Sequence, residues 1–427
     1  MQVEDGWSQA VDLTSQYLKT KRRADYLFES ITGHIHSNER HRCQNLFYGV
    51  IRNIALIEWA IKQNVRRMPK GRLKALLLIA GYELVEAIEQ GRGREPPVVH
   101  HAVERGKNLL SPSEVRLANA VLRRLPDALR DGPPVQSADA GELALRHSHP
   151  KWLVSRWIGA FGLSNTAKLL EWNQAPAPYY IRVFGDVPES ASAFLEPTRW
   201  PRFHRVGSGG WDCAKRLMEK GLAYAQDPST RLAPEILGPL PGEAVLDLCA
   251  APGGKSLLLA DLIRDPGILV SLEKPGGRLD LLRENLSRYP WCRASVVGAD
   301  LLAVSPSMME ARGLPGLYDA VLLDVPCSNT GVFRRRVDAR WGITPENLVA
   351  VTELQGRLLR AAANLVRPSG RLVYSTCSIE PAENREIVEH FAAARGGEFA
   401  LEHAREHYPW VTGHDGGGVF LLRRRPE

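Results

Sequence analysis

From Gly242 onward, short apolar runs alternate with helical stretches, and this alternation most narrows the folds open to the chain. Ala244-Val245-Leu246-Asp247-Leu248 reads as a first strand, and a helix is expected from about Lys255 to Ile263. Ile268-Leu269-Val270-Ser271-Leu272 reads as the next strand, followed by a helix through Leu286. Further strands are expected over Ala294 to Val297, Asp319 to Leu323 and Arg371 to Tyr374. Strands joined through helices run parallel, so the pattern predicts a parallel, doubly wound α/β sheet.

Such sheets bind ligands at the carboxyl ends of their strands. The loop Cys249-Ala250-Ala251-Pro252-Gly253-Gly254-Lys255 stands at that end of the first strand. Its glycines let a ligand approach the backbone, and the helix behind it offers unpaired N–H groups. Glu273, about 20 residues further on, can accept hydrogen bonds from ribose hydroxyls. Asp300, after the third strand, can receive an adenine amino group. The spacing is neither GxGxxG nor a P-loop, so a dehydrogenase or an NTPase fits poorly. A nucleoside-bearing cofactor fits the loop with its two acids, whereas the glycine loop by itself is a weak signal that a generic nucleotide loop would also give.

Two more segments reach the same rim. Asp324-Val325-Pro326-Cys327-Ser328-Asn329-Thr330-Gly331 follows the fourth strand, and Ser375-Thr376-Cys377-Ser378 follows the fifth. A single cysteine is usually a small buried hydrophobe. Two in polar, turn-forming segments on one ligand rim point to chemistry. Methylation at C5 of a pyrimidine uses such a pair. C5 of cytosine is too poor a nucleophile to attack a methyl sulfonium, and a thiolate adding to C6 makes it an enamine. An acid near N3 assists, and a second group helps release the product. Cys377, Cys327 and Asp324 can fill these posts. The chemistry alone does not say which cysteine attacks.

The first 130 residues read as an all-helical bundle. Leu46, Val50, Ile51, Ile54, Ile57 and Ile61 recur at helical spacing between Asn45 and Gln63. Leu73 to Ile88 is a second helix. Pro96-Pro97 interrupts before Val98 to Leu110, and Val115 to Leu125 is a fourth. A Pro/Gly/Ser-rich linker is expected between Asp131 and Asp139. Residues 141–240 are mixed, with a helix over Trp152 to Trp172 and a strand over Tyr179 to Val183, and predict a small α+β module. The expected domains are therefore 1–130, 141–240 and 241–427.

No CxxC pair occurs among Cys43, Cys213, Cys249, Cys292, Cys327 and Cys377, so no structural zinc is expected and free thiols are. His34, His36 and His41 read as exposed polar residues rather than metal ligands. The acidic N-terminus lacks a signal-peptide core, and no apolar run approaches the ~18 residues of a membrane span. A cytoplasmic protein with no membrane partner is expected. The net charge of +7 leans mildly toward a polyanion. Arg334-Arg335-Arg336 and Arg340-Trp341 read equally as a phosphate-binding surface or a solvated basic turn, and Lys19, Lys21, Arg22 and Arg23 as a solvated helix face.

Val245 to Lys255 resembles the cofactor motif of the Nol/Nop/Sun RNA cytosine-5 methyltransferases. Asp324-Val325-Pro326-Cys327-Ser328 and Ser375-Thr376-Cys377-Ser378 resemble that family's two cysteine motifs, and Gln226-Asp227-Pro228-Ser229 its cofactor-edge motif. The resemblance implies a C-terminal Rossmann-like class I methyltransferase domain that uses S-adenosyl-L-methionine. It implies Cys377 as nucleophile, Cys327 in product release, and Lys255 and Asp324 on the target cytosine. Cofactor contacts would fall on Cys249, Ala250, Ala251, Pro252, Gly253, Gly254, Lys255, Glu273, Asp300 and Asp324.

Leu46-Phe47-Tyr48-Gly49-Val50-Ile51-Arg52 and Asn119 to Leu125 resemble the NusB RNA-binding fold. Together the two resemblances imply an enzyme acting on RNA, with 16S rRNA as substrate; a monomer and no DNA partner are the default expectations. A tRNA enzyme of the same chemistry and a non-catalytic RNA-binding or antitermination factor are the rivals. The chain departs from the family at Arg336-Val337-Asp338, where His-Pro-Asp is common, and in the extra glycine of Asp415-Gly416-Gly417-Gly418.

Overall fold

A computed structural model of the chain describes residues 5–32, 37–91, 93–133, 139–263, 266–395 and 397–426. His34, His36 and most of the expected 131–139 linker lie outside these residues. The described chain divides into two compact units, one of residues 1–175 with 333–342 and the other of residues 176–332 with 343–427.

The first unit is helical because its apolar residues fall on helical stripes. Helix Ser37–Lys62 buries Cys43, Phe47, Val50, Ile51, Ile57 and Ile61 along one face. Helix Gly71–Glu89 is apolar nearly all round, and Leu73, the run Ala75 to Tyr82, and Leu84 are all buried. Pro96-Pro97 does not interrupt. The two prolines lie in the first turn of helix Glu95–Leu109, where a missing N–H costs nothing. Ser111 and Glu114 form a reciprocal capping box at the start of helix Pro112–Leu122. The expected Val115–Leu125 helix ends at Leu122, and a separate short helix, Leu125–Asp131, follows. Helices Ala140–Arg146 and Lys151–Gln174 complete the unit, the latter kinked at Gly162, whose φ of 78° no helical residue shares.

The segment 333–342 corrects the reading of its basic residues as an exposed turn. Arg340 is fully buried, and its guanidinium donates to the carbonyls of Ser148, Asn173 and Phe333 at 3.4, 3.1 and 3.1 Å. Trp341 donates from Nε1 to Ile51 O at 3.0 Å. Asp338 accepts from Ala24 N at 2.9 Å, and Val337 packs in the helical core. Arg334 lies over the Trp172 ring at 4.1 Å. Only Arg336 of these residues is exposed.

Burial, followed by the charge of Arg52, pushes Arg340 down to about 9, against the opposing pull of Tyr17 and Asp338. It therefore remains charged at neutral pH, and its burial has a cost. Removing it would recover that cost but leave three carbonyls without donors at ~1–3 kcal/mol each. Arg340→Met is expected to destabilise the protein by about 2–4 kcal/mol. An unchanged urea midpoint would contradict this.

The second unit contains two sheets. The smaller is antiparallel, in the order β2-β3-β1-β4, from β1 (Tyr180–Val183), β2 (Leu195–Pro197), β3 (Phe203–Val206) and β4 (Ala223–Ala225). The larger has seven strands: β5 (Ala244–Leu248), β6 (Ile268–Glu273), β7 (Ala294–Gly298), β8 (Tyr318–Asp324), β9 (Val366–Thr376), β10 (Phe399–His407) and β11 (Gly417–Arg424). Their order is β10-β11-β9-β8-β5-β6-β7.

The five strands β5 to β9 run parallel, as their alternation with helices requires. The sheet as a whole is mixed, because β11 and β10 add antiparallel at the β9 edge. Apolar residues fill both faces. The order reverses between β5 and β8, and the crevice at such a reversal is where these sheets bind ligands.

Candidate active site

Five strand ends build the site. Cys249 leaves β5 with φ 58°, a left-handed turn that starts the loop, and Gly253 follows at φ 107°. The loop is held from several sides. Ala251 N donates to Glu273 Oε2 at 3.0 Å, Arg278 donates to Ala251 O at 2.7 Å, and Gln226 Nε2 donates to Gly254 O at 3.0 Å. The Gln226 motif is thus the outer wall of the loop. Glu273, at the end of β6, is buried, and Asp300, after β7, is paired with Lys274 at 2.8 Å. The Lys274 contact, more than any other, holds the Asp300 carboxyl below its usual range.

Lys255 begins the helix Gly254–Ile263, and its Nζ lies 2.6 Å from Asp324 Oδ2 at the end of β8. Ser375 Oγ donates to the other Asp324 oxygen at 3.2 Å. Burial works against the Lys255 charge, but Asp324 outweighs it through its charge and hydrogen bond, with help from the Cys377 charge. Lys255 is held above its usual value and stays an ammonium. Asp247, buried on β5, is pushed up to about 7, chiefly by burial and against its hydrogen bond from Ser256.

The segments after β8 and β9 bring the two cysteines together, with Cys327 Sγ 3.1 Å from Cys377 Sγ. Cys377 donates to Asn329 Oδ1 at 3.4 Å. Both thiols are half-buried, whereas Cys43, Cys213 and Cys292 are buried; all six are free. Cys327 is held well above the usual thiol range by its hydrogen bond to Cys377, then by burial, then by the charges of Cys377 and Glu383. Cys249 is pushed up to about 12, mainly by burial, so it is no nucleophile at neutral pH.

The residues singled out in the sequence at the five parallel strands therefore converge on one rim. The sequence reading missed what holds them there: Asn329, Gln355 and, above all, Glu383, which is fully buried. The one signal was the placement of Glu383-Asn384 six residues past Cys377, just ahead of helix Arg385–Ala394. The extra glycine also has a cause. A Cβ at Gly417 would overlap Thr376 O, and one at Gly331 would overlap Gly416 O and lie 2.8 Å from Cys377 O. Side chains there would force the cysteine segments apart.

A Rossmann-like sheet with this loop and these strand-end acids, in a chain that also carries a NusB-type helical domain, defines a methyltransferase of the RNA-modifying type. The comparisons agree. The family model "16S rRNA methyltransferase RsmB/F" matches residues 234–407, and that of the NusB family matches residues 8–127. A Bacillus subtilis protein named "Probable ribosomal RNA small subunit methyltransferase B" is 30% identical over 367 residues, covering 81% of this chain and 78% of that one. The ribosomal RNA small subunit methyltransferase B of Sodalis glossinidius is 28% identical over 400 residues, covering 90% and 88%. The crystal structure of PH0851 matches at a TM-score of 0.78 and 22% identity over 98% of both chains, a likeness of fold. A Pyrococcus horikoshii methyltransferase homolog matches at 0.56 and 25% identity over 66% of this chain and 98% of its own. The chain belongs to the family of ribosomal RNA small subunit methyltransferase B. Among the described residues, no cluster of side chains suits a metal ion, and no helix is long and apolar enough to cross a membrane.

Proposed function

We propose that the chain methylates carbon 5 of a cytosine in 16S rRNA, using S-adenosyl-L-methionine and a covalent adduct between Cys377 and C6. The observation that carries this reading is the 3.1 Å approach of two thiols beside the Lys255–Asp324 pair. A methyltransferase acting on an amine or a hydroxyl needs no such pair.

The residues present suit the cofactor. Glu273 and Asp300 offer carboxylate oxygens to ribose and adenine, the 249–255 loop offers close backbone, and Asp247 Oδ1 is buried without a hydrogen-bond partner among the described residues. When bound, S-adenosylmethionine supplies the methyl group. The protein's own residues do the rest. The Cys377 thiolate adds to C6, and the displaced electron pair moves toward C5 and N3. N3 takes up a proton from solvent as this pair arrives and returns it on release, and Asp324, held by Lys255 and Ser375, accepts a hydrogen bond from the N3–H. After C5 is methylated, Cys327 takes the C5 proton. The C5–C6 double bond reforms and the Cys377–C6 bond breaks. Attack at C6 requires the base to be unstacked.

Bisulfite sequencing of rRNA and tRNA from the host with and without this gene tests the reading. One cytosine of 16S rRNA is expected to become convertible on deletion. Loss of a tRNA site instead would move the substrate, and loss of none would sink the activity.

A further inference from the structure

Glu383 is a fully buried acidic side chain that no cation pairs with among the described residues. The hydrogen bonds to its carboxyl group come from the two cysteine segments and the helix beside them. On the Cys327 side, Ser328 donates to Oε1 from its N–H at 2.8 Å and to Oε2 from its hydroxyl. On the Cys377 side, the Ser378 hydroxyl also donates to Oε2. Gln355 Nε2, in helix Pro345–Ala363, donates to Oε1 at 3.0 Å and also to Pro326 O at 2.9 Å. One carboxylate thus spans the residue after each cysteine. Thr330 Oγ1 adds a further link, 2.9 Å from Ser378 Oγ.

We propose that Glu383 is a positioning residue for the two-cysteine site: it holds the two thiol segments in register and sets a carboxyl group against negative charge on Cys327. The inference rests on the two-cysteine reading above.

The groups around the pair divide by sign. Lys255, whose ammonium interacts with Cys377, comes from helix Gly254–Ile263. Asp324 ends β8 and is tied to Lys255. Tyr374, on β9, donates its hydroxyl to Glu383 O at 2.7 Å, and burial keeps it protonated. His407, on β10, is kept neutral by burial. A charge on Cys377 therefore meets a cation, whereas a charge on Cys327 meets the Glu383 carboxylate.

Cys327 keeps its proton while Cys377 attacks C6. Once Cys377 is a thioether, its charge and its hydrogen bond to Cys327 are gone. Cys327 can then release its proton to solvent and accept the one from C5. Glu383 in this way orders the two thiols in time as well as in space.

Alkylation of the full chain by iodoacetamide tests this without the methyl-transfer reaction. Initial rates at the Cys327 and Cys377 peptides are read by mass spectrometry from about pH 6 to about pH 9. In the wild type at neutral pH, Cys377 is expected to react at least about tenfold faster. Glu383→Gln, with unchanged circular dichroism, is expected to narrow the ratio by at least about threefold by raising the rate of Cys327. Glu383→Asp keeps the charge but shortens the reach. It should keep the wild-type rate ratio while lowering kcat about tenfold or more at an unchanged KM for RNA. Equal rates in the wild type, an unchanged ratio in folded Glu383→Gln or a collapsed ratio in Glu383→Asp would each overturn the proposal. Methyl transfer surviving in Cys377→Ala would instead overturn the two-cysteine reading, whatever the alkylation ratio.

Discussion

Cys377→Ala is expected to abolish methyl transfer to RNA, lowering kcat by at least about a thousandfold. The scale follows from the chemistry. Without addition at C6, C5 of cytosine has almost no tendency to attack a methyl sulfonium, and Cys327 cannot substitute while burial, and after it Glu383, stands against its charge. The half-buried position of Cys377 makes the change cheap in stability, within about 1 kcal/mol, so loss of activity cannot be laid to unfolding. Transfer of labelled methyl to substrate RNA is the measurement. Activity within tenfold of wild type would remove Cys377 from the reaction.

Cys327→Ala is expected to do something different: to complete the first half of the reaction and stop. Cys377 can still add to C6 and C5 can still be methylated, but the C5 proton then has no nearby acceptor. Turnover is expected to fall at least about a hundredfold while protein linked to RNA accumulates, seen as a slower band on a denaturing gel and removed by nuclease. The double variant with Cys377→Ala should show no such band. A Cys327→Ala protein that leaves no adduct on an RNA it is known to modify would mean that another group takes the proton.

Residues whose chemistry coincides with local geometry were legible in the sequence. The apolar runs of β5, β6 and β8 announced buried parallel strands, and the motifs at their ends carried Cys249 to Lys255, Glu273, Asp324 and Cys327 onto one rim. β10 was not legible, because Phe399–His407 is an edge strand whose middle residues face solvent and whose composition reads as polar loop. The basic run at 334–340 misled for a related reason. A charged residue is read as exposed by default, and only distant carbonyls at 148 and 173 make the burial of Arg340 tolerable. Glu383 was silent for the same cause. A buried carboxylate without a cation is defined by its hydrogen-bond donors, and these come from residues 28 to 55 positions away as well as from Ser378 nearby.

The segment 333–342 also bears on how the chain acquires its structure during synthesis. The helices of the first unit emerge early, yet Val337, Arg340 and Trp341 follow roughly 160 residues after Ala175. At about 5–20 residues per second, that is a wait of about 10–30 s. Throughout it, the carbonyls of Ile51, Ser148 and Asn173 lack their later donors, and the helical core lacks Val337. The N-terminal unit is begun first and finished late, and the strand that leads to Cys327 has already been made when its last pieces arrive.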